Sequence, residues 1–68
     1  MKNSFQIIFT ALLLGIVDQI HEDIALVEYE SKGKMHHIHL IIDKETCNPK
    51  EGQEVMFQNG KIINCIDK

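Results

Sequence analysis

The Asn59-Gly60 dipeptide is the feature that most constrains what this chain can fold into. Both central residues of a type I′ turn need positive φ, and asparagine followed by glycine is the pair that best accepts it. Two short runs that contain apolar residues, 54–58 and 61–66, flank the dipeptide. This arrangement predicts a tight β-hairpin at the end of the chain.

The register of this hairpin predicts two partly apolar faces. Counting outward from the turn places Phe57 opposite Ile62 and Val55 opposite Asn64. Since side chains alternate along a strand, one face carries Val55, Phe57, Ile62 and Ile66. The other face carries Met56, Ile63 and Cys65, and it needs a cover of its own. We therefore predict an interaction surface at Met56, Ile63 and Cys65.

Three more strands are predicted before the hairpin. Residues 24–30 and 35–42 have the β-branched density of strands, and Gly33 between them accepts a turn conformation. A first strand is expected from Gly15, and the polar stretch 43–52 is expected to be a loop with one helical turn at most. The predicted fold is all-β: a small five-stranded curled sheet or barrel, spanning residues 15–68.

An apolar segment, residues 1–14, precedes the predicted barrel. The uncharged run Ile7–Val17 has the outline of a secretory signal or a membrane anchor. Lys2 is the only cation before this run, and no Ala-x-Ala cleavage pattern follows it, which argues against a secretory signal. A helix over residues 5–17 is about 20 Å long, which is too short to cross a hydrocarbon core of about 30 Å. The alternative is a core element that covers one end of the barrel. Both interpretations stay open, so a cytoplasmic, a membrane-associated and an exported location are all retained.

Length and charge limit the classes of partner. A chain of 68 residues holds one domain with a marginal core, for which support from a partner, a bilayer or a crosslink is expected. The net charge is -3 and the chain has no arginine. These features argue against nucleic acid, whose phosphates are neutralised by clustered basic residues.

The two cysteines allow one disulfide, but their spacing does not show that they meet in space. We predict two free, partly buried thiols at Cys47 and Cys65, because free cysteine is among the most buried residue types. No Cys-x-x-Cys pair occurs, which argues against a structural zinc site.

The histidines of the third predicted strand are the candidate metal ligands. Alternation places His36, Ile38, Leu40 and Ile42 on the core face, and Met35, His37, His39 and Ile41 on the other. Two imidazoles on one face could hold a transition metal at His37 and His39, with His21 or a carboxylate as third ligand. A solvated histidine pair is the favoured interpretation, and a pH-sensing cluster is a further one.

The sequence lacks the signatures of an enzyme. There is no phosphate-binding glycine loop, no nucleophile motif and no His-Glu-x-x-His. The acidic corner formed by Asp18, Glu22 and Asp23 beside His21 has the composition of a solvated turn. We predict a non-enzymatic protein that needs no cofactor.

Two stretches, residues 15–28 and 49–55, resemble a family of very small, uncharacterised bacterial proteins. Its members have a Val-Asp-Arg-Ile-Glu type first strand and a Lys-Glu-Gly-Asp-x-Val turn into the fourth strand, and Gln19 stands here where they carry arginine. The resemblance extends from Gly15 onward, over about three quarters of the chain, and these two stretches carry its motifs. It implies a five-stranded barrel of the SH3-like or OB-like kind and carries no activity over.

Three functions follow from these expectations. The first is a structural or protein-interaction module that binds a protein partner or a second copy of itself. The second is a membrane-associated or exported module, with Ile7–Val17 as the contacting run. The third is a weak single-stranded nucleic-acid binder in which Tyr29 and Phe57 stack on bases.

Overall fold

The computed structural model describes residues 12–67, and this part of the chain is built from strands and turns without a helix. Its elements are β1 (Leu13–His21), β2 (Ile24–Ser31), β3 (Lys34–Ile41), β4 (Glu54–Gln58) and β5 (Lys61–Ile66). The predicted all-β, five-stranded fold is confirmed.

The first strand begins two residues before Gly15, the predicted start of the barrel domain. The last residues of the apolar run Ile7–Val17 therefore belong to β1, and its first part, residues 7–11, lies outside the described residues. Within residues 12–67, no helix has the length and hydropathy needed to cross a membrane.

The strands close into a barrel in the order β1-β2-β3-β5-β4, because β4 pairs back onto β1. Antiparallel pairing joins every neighbouring pair except β3 and β5, which run parallel and meet at Ile41 and Lys61. The Ile41 amide also donates a hydrogen bond of 3.0 Å to the Gly60 carbonyl. This short seam is where the barrel closes.

Two hairpins have the turns that the sequence predicts. In the β4–β5 turn, φ is 55° at Asn59 and 82° at Gly60. In the β2–β3 turn, φ is 56° at Lys32 and 76° at Gly33. Both central residues of each turn are left-handed, as a tight two-residue hairpin requires.

The barrel interior is filled by side chains from every strand. Leu40 and Ile42 are buried and Ile38 packs against them, which confirms these three positions of the predicted core face of the third strand. His36, the fourth residue of that face, is exposed. Met35 and Ile41 on its other face are more than half exposed. Among residues 12–67, the buried hydrophobic core is Val17, Ala25, Val27, Leu40, Ile42, Val55, Phe57 and Ile62.

The predicted pairing of Val55 with Asn64 is wrong because β5 contains a bulge. Phe57 pairs with Ile62 as expected, but Met56 pairs with Asn64, which leaves Ile63 as an extra residue. Beyond the bulge Val55 pairs with Cys65. The extra residue moves every later side chain of β5 to the opposite face of the strand. Cys65 therefore packs against the core, and Ile66 lies on the outer face.

The two cysteines form a disulfide, so the prediction of free thiols is wrong. Cys47 and Cys65 have Cα atoms 5.9 Å apart, within the usual range for such a bond. The loop after β3 brings Cys47 to the barrel wall, and the β5 bulge turns Cys65 towards it. Neither effect is visible in the spacing of the two residues.

Candidate functional site

The outer face of β1 carries an apolar strip. Leu12, directly before β1, is 54% exposed, and Leu14 and Ile16 within β1 are 49% and 41% exposed. The residues between them face the barrel interior. Leu14 pairs with Met56, so the strip widens onto β4. We call Leu12, Leu14, Ile16 and Met56 the β1 strip.

The predicted interaction surface lies only partly on this strip. Met56 belongs to it, Ile63 sits half-buried at the β5 bulge, and Cys65 faces the core. Leu12 and Leu14 fall within the predicted N-terminal segment, so the predicted interaction surface does not include them. The signal was present, since residues 12–17 are apolar at every position and a strand of that composition has two apolar faces.

Carboxylates flank one end of the strip. Ile16 pairs with Glu28 on β2 and with Glu54 on β4, so it lies between two acidic side chains on the outer face. An open groove continues from this point towards the end of β5, and it is lined by Ile16, Gly52, Gln53, Glu54, Ile66 and Asp67. The surface therefore combines an apolar strip with an acidic border.

Asp18 lies at a second bulge, next to the strip. The β1–β2 register shifts between Val17 and Gln19, so Asp18 has no residue opposite it on β2. Bulges commonly re-aim side chains in this way. Its Oδ2 lies 3.7 Å from His37 Nε2, and the two side chains are 34% and 55% exposed.

Glu28 completes a three-residue cluster, because it pairs directly with His37 across β2 and β3. One ligand atom each from Asp18, Glu28 and His37 lies within 4.8 Å of the other two. We call these three residues the outer cluster. Glu22 and Asp23, the rest of the predicted acidic corner, stay exposed in the β1–β2 turn.

His37 and His39 lie on the same outer face, as predicted, but only His37 joins the cluster. His39 pairs with Leu26, and His21 pairs with Ile24 at the far end of β1. In the described part of the chain, neither belongs to a group of potential metal ligands. The sequence allowed His21 or a carboxylate beside the histidine pair, and the side chains that lie close to His37 are the carboxylates of Asp18 and Glu28.

The aromatic residues that were predicted to stack on bases face inward. Phe57 is 2% exposed, so its ring is inaccessible to a base, and the stacking prediction for Phe57 is wrong. Tyr29 is half-buried, with its ring centroid 5.3 Å from those of both Phe57 and His36. These contacts make Tyr29 a core-side residue of the barrel.

Comparison with known proteins adds no relative. The chain matches no protein-family model, no curated protein and no solved structure. The resemblance to the small bacterial family stays a prediction. Function is therefore argued from the geometry of the β1 strip and the outer cluster.

Proposed function

We propose that this barrel is a non-enzymatic protein-interaction module that docks an extended segment of a partner protein on the β1 strip. The observation that carries the proposal is the row Leu12, Leu14 and Ile16, each between two fifths and three fifths exposed on one face. The barrel already has a core without them. A contiguous exposed apolar row of this kind is typical of a binding surface.

The border of the strip indicates the chemistry of the partner. Glu28 and Glu54 lie on either side of Ile16, and the whole chain carries a net charge of -3. A segment that alternates apolar and basic residues complements this surface. A second copy of the chain would bring its own carboxylates against the first, which disfavours self-association through the strip.

Side chains rather than backbone would mediate the docking. β1 pairs with β4 over residues 13–16 and with β2 over residues 16–21, and the apolar side chains that we propose as contacts lie on its outer face. The partner segment would lie across the outer face, with apolar residues on Leu14 and Ile16 and cations towards Glu28. The contact would be small, which is typical of a transient interaction.

The disulfide supports the exported form of this module as the second candidate. Disulfides persist in oxidising compartments and are rare where glutathione keeps thiols reduced. The Cys47–Cys65 bond is therefore an argument for a location outside a reducing cytosol.

The apolar run that begins at Ile7 leads directly into the β1 strip. A membrane surface is therefore the alternative to a protein segment as the occupant of the strip.

Nucleic-acid binding is the least supported of the three proposed functions. OB-like barrels bind oligonucleotides on the face of their second and third strands. Here that face carries Glu28 and Glu30 beside His37, which is the wrong charge for phosphates.

A peptide titration followed by NMR tests the proposal on the oxidised full-length chain. The first peptide alternates leucine and lysine, and the matched peptide alternates leucine and glutamate. We expect shifts at the amides of β1 and β4 with the lysine peptide alone. Leu14→Lys should remove them, whereas Met35→Lys should not, because Met35 is 56% exposed but lies on β3, off the strip.

Other outcomes would contradict a basic protein segment as the occupant. Equal binding of both peptides, or shifts confined to another face, would remove the role of the carboxylates. Dimerisation in light scattering that Leu14→Lys abolishes would assign the strip to a second copy. Binding to phosphatidylcholine vesicles that the same variant abolishes would assign it to a membrane.

A further inference from the structure

The outer cluster draws its three side chains from three adjacent strands. Asp18 is on β1, Glu28 on β2 and His37 on β3. Neighbouring strands lie about 4.8 Å apart, so β1 and β3 are separated by about twice that distance. The 3.7 Å between Asp18 Oδ2 and His37 Nε2 therefore means that both side chains reach over β2, where Glu28 lies.

From this convergence we propose that Asp18, Glu28 and His37 bind a divalent transition-metal ion such as Zn²⁺. Glu28 also borders the β1 strip, but the metal site needs no partner segment, so this proposal is tested separately from the docking function. Imidazole nitrogen and carboxylate oxygen are both ordinary zinc ligands. Two carboxylates beside one histidine also supply the negative charge that a dication neutralises.

The spacing of the donor atoms suits one ion after a small adjustment. Two ligand atoms about 2.1 Å from a tetrahedral ion lie about 3.4 Å apart. The Asp18–His37 distance of 3.7 Å is close to this value, and all three donors lie within 4.8 Å. Rotations of partly exposed side chains can close the difference without moving the strands.

The β1 bulge is what makes the site possible. Asp18 has no residue opposite it on β2, so its carboxylate lies beside Glu28 instead of in a regular row. Three protein ligands leave at least one coordination position for water on the exposed side. The proposal concerns the binding of the ion, and it assigns no reaction.

Isothermal titration of Zn²⁺ into the oxidised full-length chain tests this site. Reductant is omitted, because free thiolates would themselves bind zinc. We expect one ion per chain. Loss of a residue that only hydrogen-bonds to a zinc ligand weakens zinc binding roughly 10- to 100-fold. We expect a larger loss of affinity when a ligand itself is replaced, as in Asp18→Asn, Glu28→Gln and His37→Gln.

His39→Gln is the matched control, because His39 lies on the same strand and face, two residues from His37. It should bind Zn²⁺ as the unmodified chain does. Equal loss of binding in His39→Gln would assign the ion to the histidine pair and overturn the proposal. Absence of saturable binding to the unmodified chain would also overturn it.

A second measurement locates the ion without relying on the variants. Paramagnetic Mn²⁺ at substoichiometric amounts should first broaden the amide signals around residues 18, 28 and 37. Broadening centred on another part of the barrel would overturn the proposal. Circular dichroism of each variant confirms that a change in affinity does not come from unfolding.

Discussion

Cys47 and Cys65 are joined across the weakest seam of the barrel. β3 and β5 pair only at Ile41 and Lys61, and the disulfide ties the loop after β3 to β5, farther along that strand. The bond spans a sequence separation of 18 residues. It therefore supplies a covalent link where backbone pairing is shortest.

Removing this link should lower the free energy of unfolding considerably. For a closed loop of this size the chain-entropy estimate is about 3 kcal/mol, a large share of the stability of a small domain. We expect the Cys47→Ser/Cys65→Ser variant to lose that amount in urea titrations followed by circular dichroism. Reducing the unmodified chain should have the same effect, and reductant should not change the variant. Identical midpoints for the oxidised and reduced chains would contradict the assignment.

Gly15 is buried against Val27, and the contact leaves no room for a side chain. A Cβ at this position would lie 2.5 Å from Val27 Cγ1 and 2.8 Å from the Glu28 carbonyl oxygen. We expect Gly15→Ala to destabilise the barrel by about 2 to 3 kcal/mol, because backbone in a paired strand cannot easily retreat. Thermal unfolding measures the loss.

A double-mutant cycle separates this contact from a general intolerance of β1. Val27→Ala removes the methyl group nearest to the new Cβ, so the double variant should be more stable than the sum of the single losses predicts. The rescue should be partial, since the Glu28 carbonyl remains. Strict additivity would show that the contact with Val27 is not the cause.

Local chemistry made the strands and the two tight hairpins predictable. Asn59 tolerates positive φ and Gly60 accepts it because it lacks a Cβ. The alternation in β3 identifies the face of Ile38 and Leu40 as its core face without knowledge of any partner strand. Such features depend on residues that are close in sequence. The bounds of β2 to β5 follow from them to within one residue, whereas β1 begins two residues earlier than predicted.

The candidate site was less predictable, because it depends on partners that are distant in sequence. Asp18 is an extra residue relative to β2, and Ile63 is an extra residue relative to β4. The sequence of the bulged strand alone therefore does not reveal either bulge. One bulge brings Asp18 to His37. The other turns Cys65 towards Cys47. The prediction that Cys65 lies on the outer face is wrong because the register of β5 shifts by one residue.

Lys32 occupies the position in the β2–β3 turn that Asn59 occupies in the β4–β5 turn. Its φ of 56° lies in the left-handed region. This conformation costs an ordinary L-residue roughly 1 to 2 kcal/mol and costs asparagine less. We expect Lys32→Asn to raise the free energy of unfolding by about 1 kcal/mol. The reciprocal Asn59→Lys should lower it by a similar amount. Opposite signs in urea titrations check the explanation, and two losses would refute it.

Gln53 connects the loop before β4 to the end of β5. Its Oε1 accepts a hydrogen bond of 3.0 Å from the Lys50 amide, and its Nε2 donates to the Ile66 carbonyl and to Asp67 Oδ1 at 3.4 and 3.3 Å. Gln53→Glu replaces the donor with a carboxylate oxygen that faces two acceptors. We expect a loss of about 1 to 2 kcal/mol, larger than that of Gln53→Ala, which removes the bonds without adding charge.

Added salt and a second substitution identify the repulsion between residues 53 and 67. Salt screens exposed charges, so part of the Gln53→Glu loss should be recovered at high ionic strength, while the Gln53→Ala loss should not change. Asp67→Asn introduced into Gln53→Glu restores a donor opposite the new carboxylate and should recover stability further. Equal urea midpoints for Gln53→Glu and Gln53→Ala at low salt would show that a carboxylate at residue 53 is not repelled by Asp67. The hydrogen bonds from Gln53 Nε2 to the end of β5 would then not explain the loss of stability.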